Sequence, residues 1–145
     1  MAKFFSKEWI DLFREEINRS EPFANAARMY EDTFVFVVDS DETFSGNIAV
    51  FMDIYHGKCR EIKLLSNPTE RKPKFVYRTS YSTWKRIIDG LIDPMMGVGS
   101  GSIHVEGDMA EFLTRRRAAS ELVEAARRVP TEFEQSESQK PRVPP

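Results

Sequence analysis

The first third of the chain changes its apolar period once, and that change divides helix from strand. Trp9, Phe13 and Ile17 recur at i, i+4 and i+8, with Ile10 and Leu12 widening the stripe. The spacing predicts a helix from about Lys7 to Arg19, capped by Ser6, that lays one face on something else. Pro22 suits the first turn of a second helix, whose body runs from Phe23 to Tyr30 and ends at Glu31-Asp32. The period then falls to two. Thr33 to Asp39 is β-branched and aromatic almost throughout, which predicts a strand buried on both faces. Asp39-Ser40-Asp41-Glu42 reads as a turn. From Asn47 to Tyr55 the residues alternate, with Ile48, Val50, Met52 and Ile54 on one face. His56-Gly57-Lys58 reads as a hairpin turn into a third strand carrying Ile62 and Leu64. The prolines and charges of 67–73 mark a loop, and Lys74 to Thr79 a fourth short strand.

Helical spacing then returns. Ser80 or Ser82 caps a helix carrying Trp84, Ile87 and Ile88, which stops at Gly90. Asp93-Pro94 opens a short helix, broken by Gly97-Val98-Gly99-Ser100-Gly101. Ser102 to Glu106 reads as a fifth strand, and Asp108 caps a long helical segment reaching about Val129. Met109, Phe112, Leu113, Ala119, Val123 and Ala126 fall near one face of it, while Arg115-Arg116-Arg117 sits mid-segment and allows a break there. Residues 1–129 therefore read as one domain and 130–145 as a polar, proline-rich tail expected to be disordered. Strands joined by short turns imply an antiparallel sheet, and helices gathered at the two ends of the sequence imply a cover over one face of it. The fold class is α+β.

Composition removes several functions. The 145 residues match one domain, and a chain of this length buries roughly 70% of the surface its unfolded form exposes. A formal net charge of −2 gives no basic face for nucleic acid. Cys59 is the single cysteine, so no disulfide forms within the chain, which suits a reducing compartment. The longest apolar stretch, Phe34 to Val38, is far short of the ~20 residues of a membrane helix, and the opening residues turn charged at Lys7-Glu8. A cytoplasmic protein is expected.

The reactive residue types do not assemble into a catalytic or metal set. His56 and His104 lack a metal-ligand spacing, and Cys59 lacks a partner motif. Asp108 is explained as a helix cap and Glu106 as a solvent-facing residue, rather than as a carboxylate pair. The glycines of 97–101 follow a helix and precede a strand, the reverse of a dinucleotide fingerprint. No enzyme activity, catalytic residue, metal or cofactor is expected.

One stretch has a family likeness. Trp84-Lys85-Arg86-Ile87-Ile88-Asp89-Gly90 leads through Leu91-Ile92 to Asp93-Pro94-Met95-Met96, and Gly99-Ser100-Gly101-Ser102-Ile103-His104-Val105-Glu106-Gly107-Asp108 follows. This resembles the carboxy-terminal half of the sterol carrier protein 2 (SCP2) family: a helix ending in Gly, a short helix opening with Asp-Pro, a small-residue turn, and a strand ending in Gly-Asp. The hairpin Val50 to Lys58 is similar to that family's central strands. The chain ends Val143-Pro144-Pro145, without the Ser-Lys-Leu peroxisome address of eukaryotic members.

The resemblance implies a five-stranded, mostly antiparallel sheet covered on one face by helices. It also implies an apolar tunnel between them for a fatty acid, fatty acyl-CoA, sterol or isoprenoid. Trp84, Ile88, Met95, Met96, Ile103, Val105, Met109, Phe112 and Leu113 are the candidate ligand contacts, because they flank the Gly-rich region where tight packing is hardest. Methionine adds adaptability to such a lining. Arg115, Arg116 and Arg117 are candidates for meeting an anionic membrane surface or the phosphates of an acyl-CoA; the bland alternative is a solvated face balanced by Glu111, Glu121 and Glu124. An accessory role beside a lipid or quinone pathway enzyme is the competing reading. Carriage calls for a continuous void of a few hundred Å³.

Overall fold

The computed structural model describes residues 1–134. In chain order the elements are β1 (Ala2–Lys3), α1 (Lys7–Arg19), α2 (Glu21–Ala26), β2 (Glu31–Asp39), β3 (Ile48–Tyr55), β4 (Lys58–Leu64) and β5 (Phe75–Ser80). They continue with α3 (Tyr81–Ile88), α4 (Pro94–Ser100), β6 (His104–Glu106), α5 (Met109–Leu113), α6 (Arg116–Arg127) and β7 (Thr131–Glu132).

Helix starts follow local capping chemistry. The side chains of Ser6, Ser20, Ser80, Asp93 and Asp108 each accept a backbone N–H from the first turn that follows, which satisfies donors the helix itself leaves free.

The main sheet runs in the order β4-β3-β2-β5-β6. The β2–β3, β3–β4 and β5–β6 pairs are antiparallel, whereas β2 and β5 are parallel, with Phe36 opposite Tyr77. That parallel pair arises because the 65–74 connection carries the chain from the edge strand β4 back across the sheet. The route also covers part of the second face. Val35, Val37, Ala49 and Phe51 are buried there with Leu65 packed on them, and the Arg71 guanidinium lies 4.6 Å from the Phe51 ring centroid. β2 is thus buried on both sides, as its unbroken apolar run predicts. The other face carries Phe34, Phe36, Val50, Met52, Ile54 and Phe75 into the main core beneath the helices.

The edge strand β4 is gripped from the side by α1. Asn18 accepts the Cys59 N–H at 2.8 Å and donates to the Cys59 carbonyl at 3.1 Å. Arg14 donates to the carbonyls of Cys59 and Arg60 at 3.1 and 2.6 Å. Side chains thereby occupy backbone groups that would otherwise form an open sheet edge.

The segment after Asp108 is two helices, broken at Thr114 and Arg115, where the arginine triplet allows a break. Two sequence expectations change. The glycines of 97–101 do not break the short helix: α4 runs through them to Ser100 and ends on Gly101 at φ +85°. Finally, residues 130–134 are held against the body. β7 pairs with β1, Thr131 Oγ1 accepts the Trp9 indole N–H at 2.7 Å, and the Tyr81 hydroxyl accepts the Glu134 N–H at 2.9 Å. The rest of the tail expected to be disordered, 135–145, lies outside the described residues.

Candidate functional site

Alternation on three strands places Phe34 and Phe36 of β2, Ile54 of β3 and Tyr77 of β5 on the helix side of the sheet, where they floor a cavity. Helical periodicity supplies its roof. Trp9 and Phe13 come from α1, Phe23 from α2, Trp84, Ile87 and Ile88 from α3, and Leu122, Val123 and Ala126 from α6. Ile103 and Pro94 close one side. The cavity is semi-enclosed, almost entirely apolar, and has a volume of about 90 Å³. That is smaller than the few hundred Å³ expected, because long aromatic side chains from both layers reach into the same space.

The polar ends of the roof residues are tied back into the protein. The Trp84 indole N–H donates to the Val37 carbonyl at 3.0 Å, and that of Trp9 goes to Thr131. Both indoles therefore turn carbon toward the hollow. Ring packing sets their planes: Trp84 meets Phe5 and Phe36 edge-on, with centroids 5.8 Å apart in each case.

The charged groups on the wall are Asp32 and Arg115. The Arg115 guanidinium donates to both oxygens of the Asp32 carboxylate at 2.9 Å and, through its remaining Nη, to Thr114 Oγ1 at 2.6 Å. Lys74 Nζ stands 3.3 Å from Asp32 and 2.9 Å from Glu111. The Tyr30 ring stacks on the guanidinium at 3.8 Å, and its hydroxyl donates to the Thr114 carbonyl. The hydrogen bond to Asp32 raises the Arg115 pKa further above its ordinary value. Each charge in this cluster is answered by another, which is the condition for keeping charge in an apolar interior.

The sequence candidates separate into groups. Trp84, Ile88 and Ile103 meet in the cavity wall. Phe112 is buried against Phe75 and Tyr77, outside the cavity lining, and Val105 is half-buried beside the core. Met95 lines a neighbouring groove instead. Met96, Met109 and Leu113 are 72%, 48% and 66% exposed, so they stand outside the cavity: the short helices α4 and α5 turn these side chains to solvent. The arginine triplet also divides. Arg115 is buried, whereas Arg116 and Arg117 are exposed and line the groove with Asp93, Met95 and Ser120. Pro94 and Ala119 border both spaces, so the groove lies at the cavity's side. The sequence reading missed the floor residues. Their signal was present in the alternation of Phe34 with Phe36 and of Phe75 with Tyr77.

Among the described residues no group of His, Cys, Asp and Glu could hold a metal ion, and no helix is long and apolar enough to cross a membrane. Cys59 is buried, and burial pushes its thiol up to about 12, so it is no nucleophile at neutral pH.

An α+β sheet of this order, with short helices roofing an apolar hollow on one side, is an SCP2-like fold. The SCP-2 sterol transfer family profile matches residues 11–118, and the chain belongs to that family. A crystal structure of sterol carrier protein 2 superposes with a TM-score of 0.80 at 28% identity, covering 88% of this chain and 99% of the other. A conserved protein of Thermus thermophilus, described as possibly a sterol carrier protein, gives 0.80 at 27% identity over 91% and 93% of the two chains. A palmitated SCP2L2 from Aedes aegypti shares the fold at a TM-score of 0.54 and 16% identity, over 87% and 95%. Among curated protein sequences nothing matches significantly.

Proposed function

We propose that the protein binds a lipid-like molecule (a fatty acid, fatty acyl-CoA, sterol or isoprenoid) in the hollow between sheet and helices, and carries it chemically unchanged. The observation that carries this reading is the apolar cavity itself, walled by aromatic rings whose polar ends are bonded elsewhere. Burying an acyl chain there is worth ~0.8 kcal/mol per CH₂, enough to hold it without a charged anchor. Trp84, Ile88 and Ile103 are then ligand contacts, and the exposed Arg116 and Arg117 beside the cavity receive an anionic headgroup or phosphate. Membership of a lipid-transfer family and the palmitated relative support the same reading.

Native mass spectrometry with organic extraction, followed by titration with a fluorescent acyl probe, tests it. A co-purifying lipid and saturable probe uptake are expected. A protein that carries nothing and takes up no probe is not a carrier.

A further inference from the structure

Resting on that carrier reading, one side chain narrows the choice of ligand. Tyr77 projects from β5 onto the cavity floor, stacked on Phe36 at a centroid distance of 5.5 Å and flanked by Phe34 and Phe112 at 5.6 and 5.8 Å. Unlike the indoles of Trp9 and Trp84 and the hydroxyls of Tyr30 and Tyr81, its hydroxyl makes no hydrogen bond among the described residues. Tyr77 nevertheless keeps some accessible surface, so its hydroxyl is not sealed away from every partner. A hydroxyl that is accessible and has no protein partner among the described residues is open to a ligand oxygen that reaches the floor.

The charge of the surroundings decides which oxygen. Burial holds the phenol well above its usual range, with Asp32 adding to the effect and Arg115 opposing it, so at neutral pH it is a neutral donor and acceptor. Those same two residues are the charged groups of the wall, and neither is free. Arg115 is spent on Asp32 and Thr114, and Lys74 behind it on Asp32 and Glu111. A carboxylate pushed to this end would lose its hydration and find no unanswered cation, whereas a hydroxyl or carbonyl would meet one good partner.

We propose that the Tyr77 hydroxyl positions the ligand by a hydrogen bond at the cavity floor, and that it selects amphiphiles that place an uncharged oxygen there. Ligands with a charged end lay their tail on this floor and keep that end toward the groove of Arg116 and Arg117.

Titrations of dodecan-1-ol, dodecane and dodecanoate at pH 8 against the native protein and Tyr77→Phe, read by displacement of a fluorescent acyl probe, test the proposal. The variant removes one oxygen that makes no hydrogen bond among the described residues, so its melting temperature is expected to equal the native value or exceed it. Dodecan-1-ol is expected to bind the variant roughly threefold to tenfold more weakly. Dodecane and dodecanoate are expected to bind both proteins alike, a contrast that a merely structural role for Tyr77 would not produce. Equal affinity of dodecan-1-ol for the two proteins overturns the proposal while leaving carriage intact. An equal loss for dodecanoate overturns the selection against charge. Failure of all three ligands and the probe to bind the native protein removes the carrier reading, and this one with it.

Discussion

Asp32 and Arg115 stand 83 residues apart in sequence and form the most consequential pair in the molecule. Arg115 lies between α5 and α6, as the residue from which α6 starts, so its bond to β2 ties down the point where the final helical segment breaks. Removing Arg115 takes both of its hydrogen bonds from the buried Asp32 carboxylate and leaves it Lys74 alone. We expect Arg115→Ala to lower stability by about 1–3 kcal/mol in urea unfolding, with Arg116→Ala, on an exposed neighbour, close to neutral. Equal effects from the two variants would refute the distinction drawn between them. Cys59 gives a second test at this scale. Its folded pKa of about 12 lies above its ordinary 9.0, so the folded state binds the proton more tightly than the unfolded one. The stability this contributes is complete below pH 9 and is lost as pH rises from 9 toward 12. At pH 8 a thiol reagent should label Cys59 slowly in the native protein and rapidly in urea; rapid native labelling would show the thiol is not held buried.

Among the elements, α4 shows how a glycine can serve packing rather than flexibility. A β-carbon on Gly97 would stand 2.5 Å from Ile103 Cδ1 and 3.3 Å from Ile92 Cγ2, so the helix backbone lies directly on the residue that closes the cavity. The Gly97 carbonyl also accepts the Ile103 N–H at 3.0 Å. Gly97→Ala should therefore destabilise the protein by about 1–3 kcal/mol through overpacking, and Ile103→Val should restore part of the loss in the double variant. A gain of about 1 kcal/mol, the usual result of replacing glycine inside an exposed helix, would show that the contact does not constrain α4. The α1–β4 clamp makes a parallel case. Asn18→Ala leaves the Cys59 N–H without its side-chain partner and the Cys59 carbonyl with Arg14 alone, and should cost about 1–3 kcal/mol in the same assay. No measurable change would mean that water replaces the amide without loss.

For the whole molecule, the decisive quantity is the mismatch between a cavity of about 90 Å³ and the roughly 300–1,000 Å³ of ordinary small-molecule sites. On the carrier reading a long acyl chain needs more room than this, and the two layers must part to admit it; the roof is built of separate helices, whereas the floor is a sheet of paired strands. Ala119 lies in the wall where cavity and groove meet. Ala119→Phe should occupy that space, raising stability by about 0.5–2 kcal/mol while weakening acyl-probe binding at least tenfold. Unchanged probe affinity in this variant would place the ligand elsewhere.

The sequence by itself determined the order and kind of the elements apart from the short β1 and β7, together with the faces they bury and most of their caps. These follow from side-chain periods and from hydrogen bonds spanning a few residues, as Ser6, Asp93 and Asp108 show. Only the tertiary structure decided that β5 lies parallel to β2, that Arg115 leaves its two basic neighbours to meet Asp32, and that Tyr77 lines the hollow with its hydroxyl unpaired among the described residues. Each is a relation between distant residues, and such relations depend on how packed layers share one volume, a quantity no local pattern encodes.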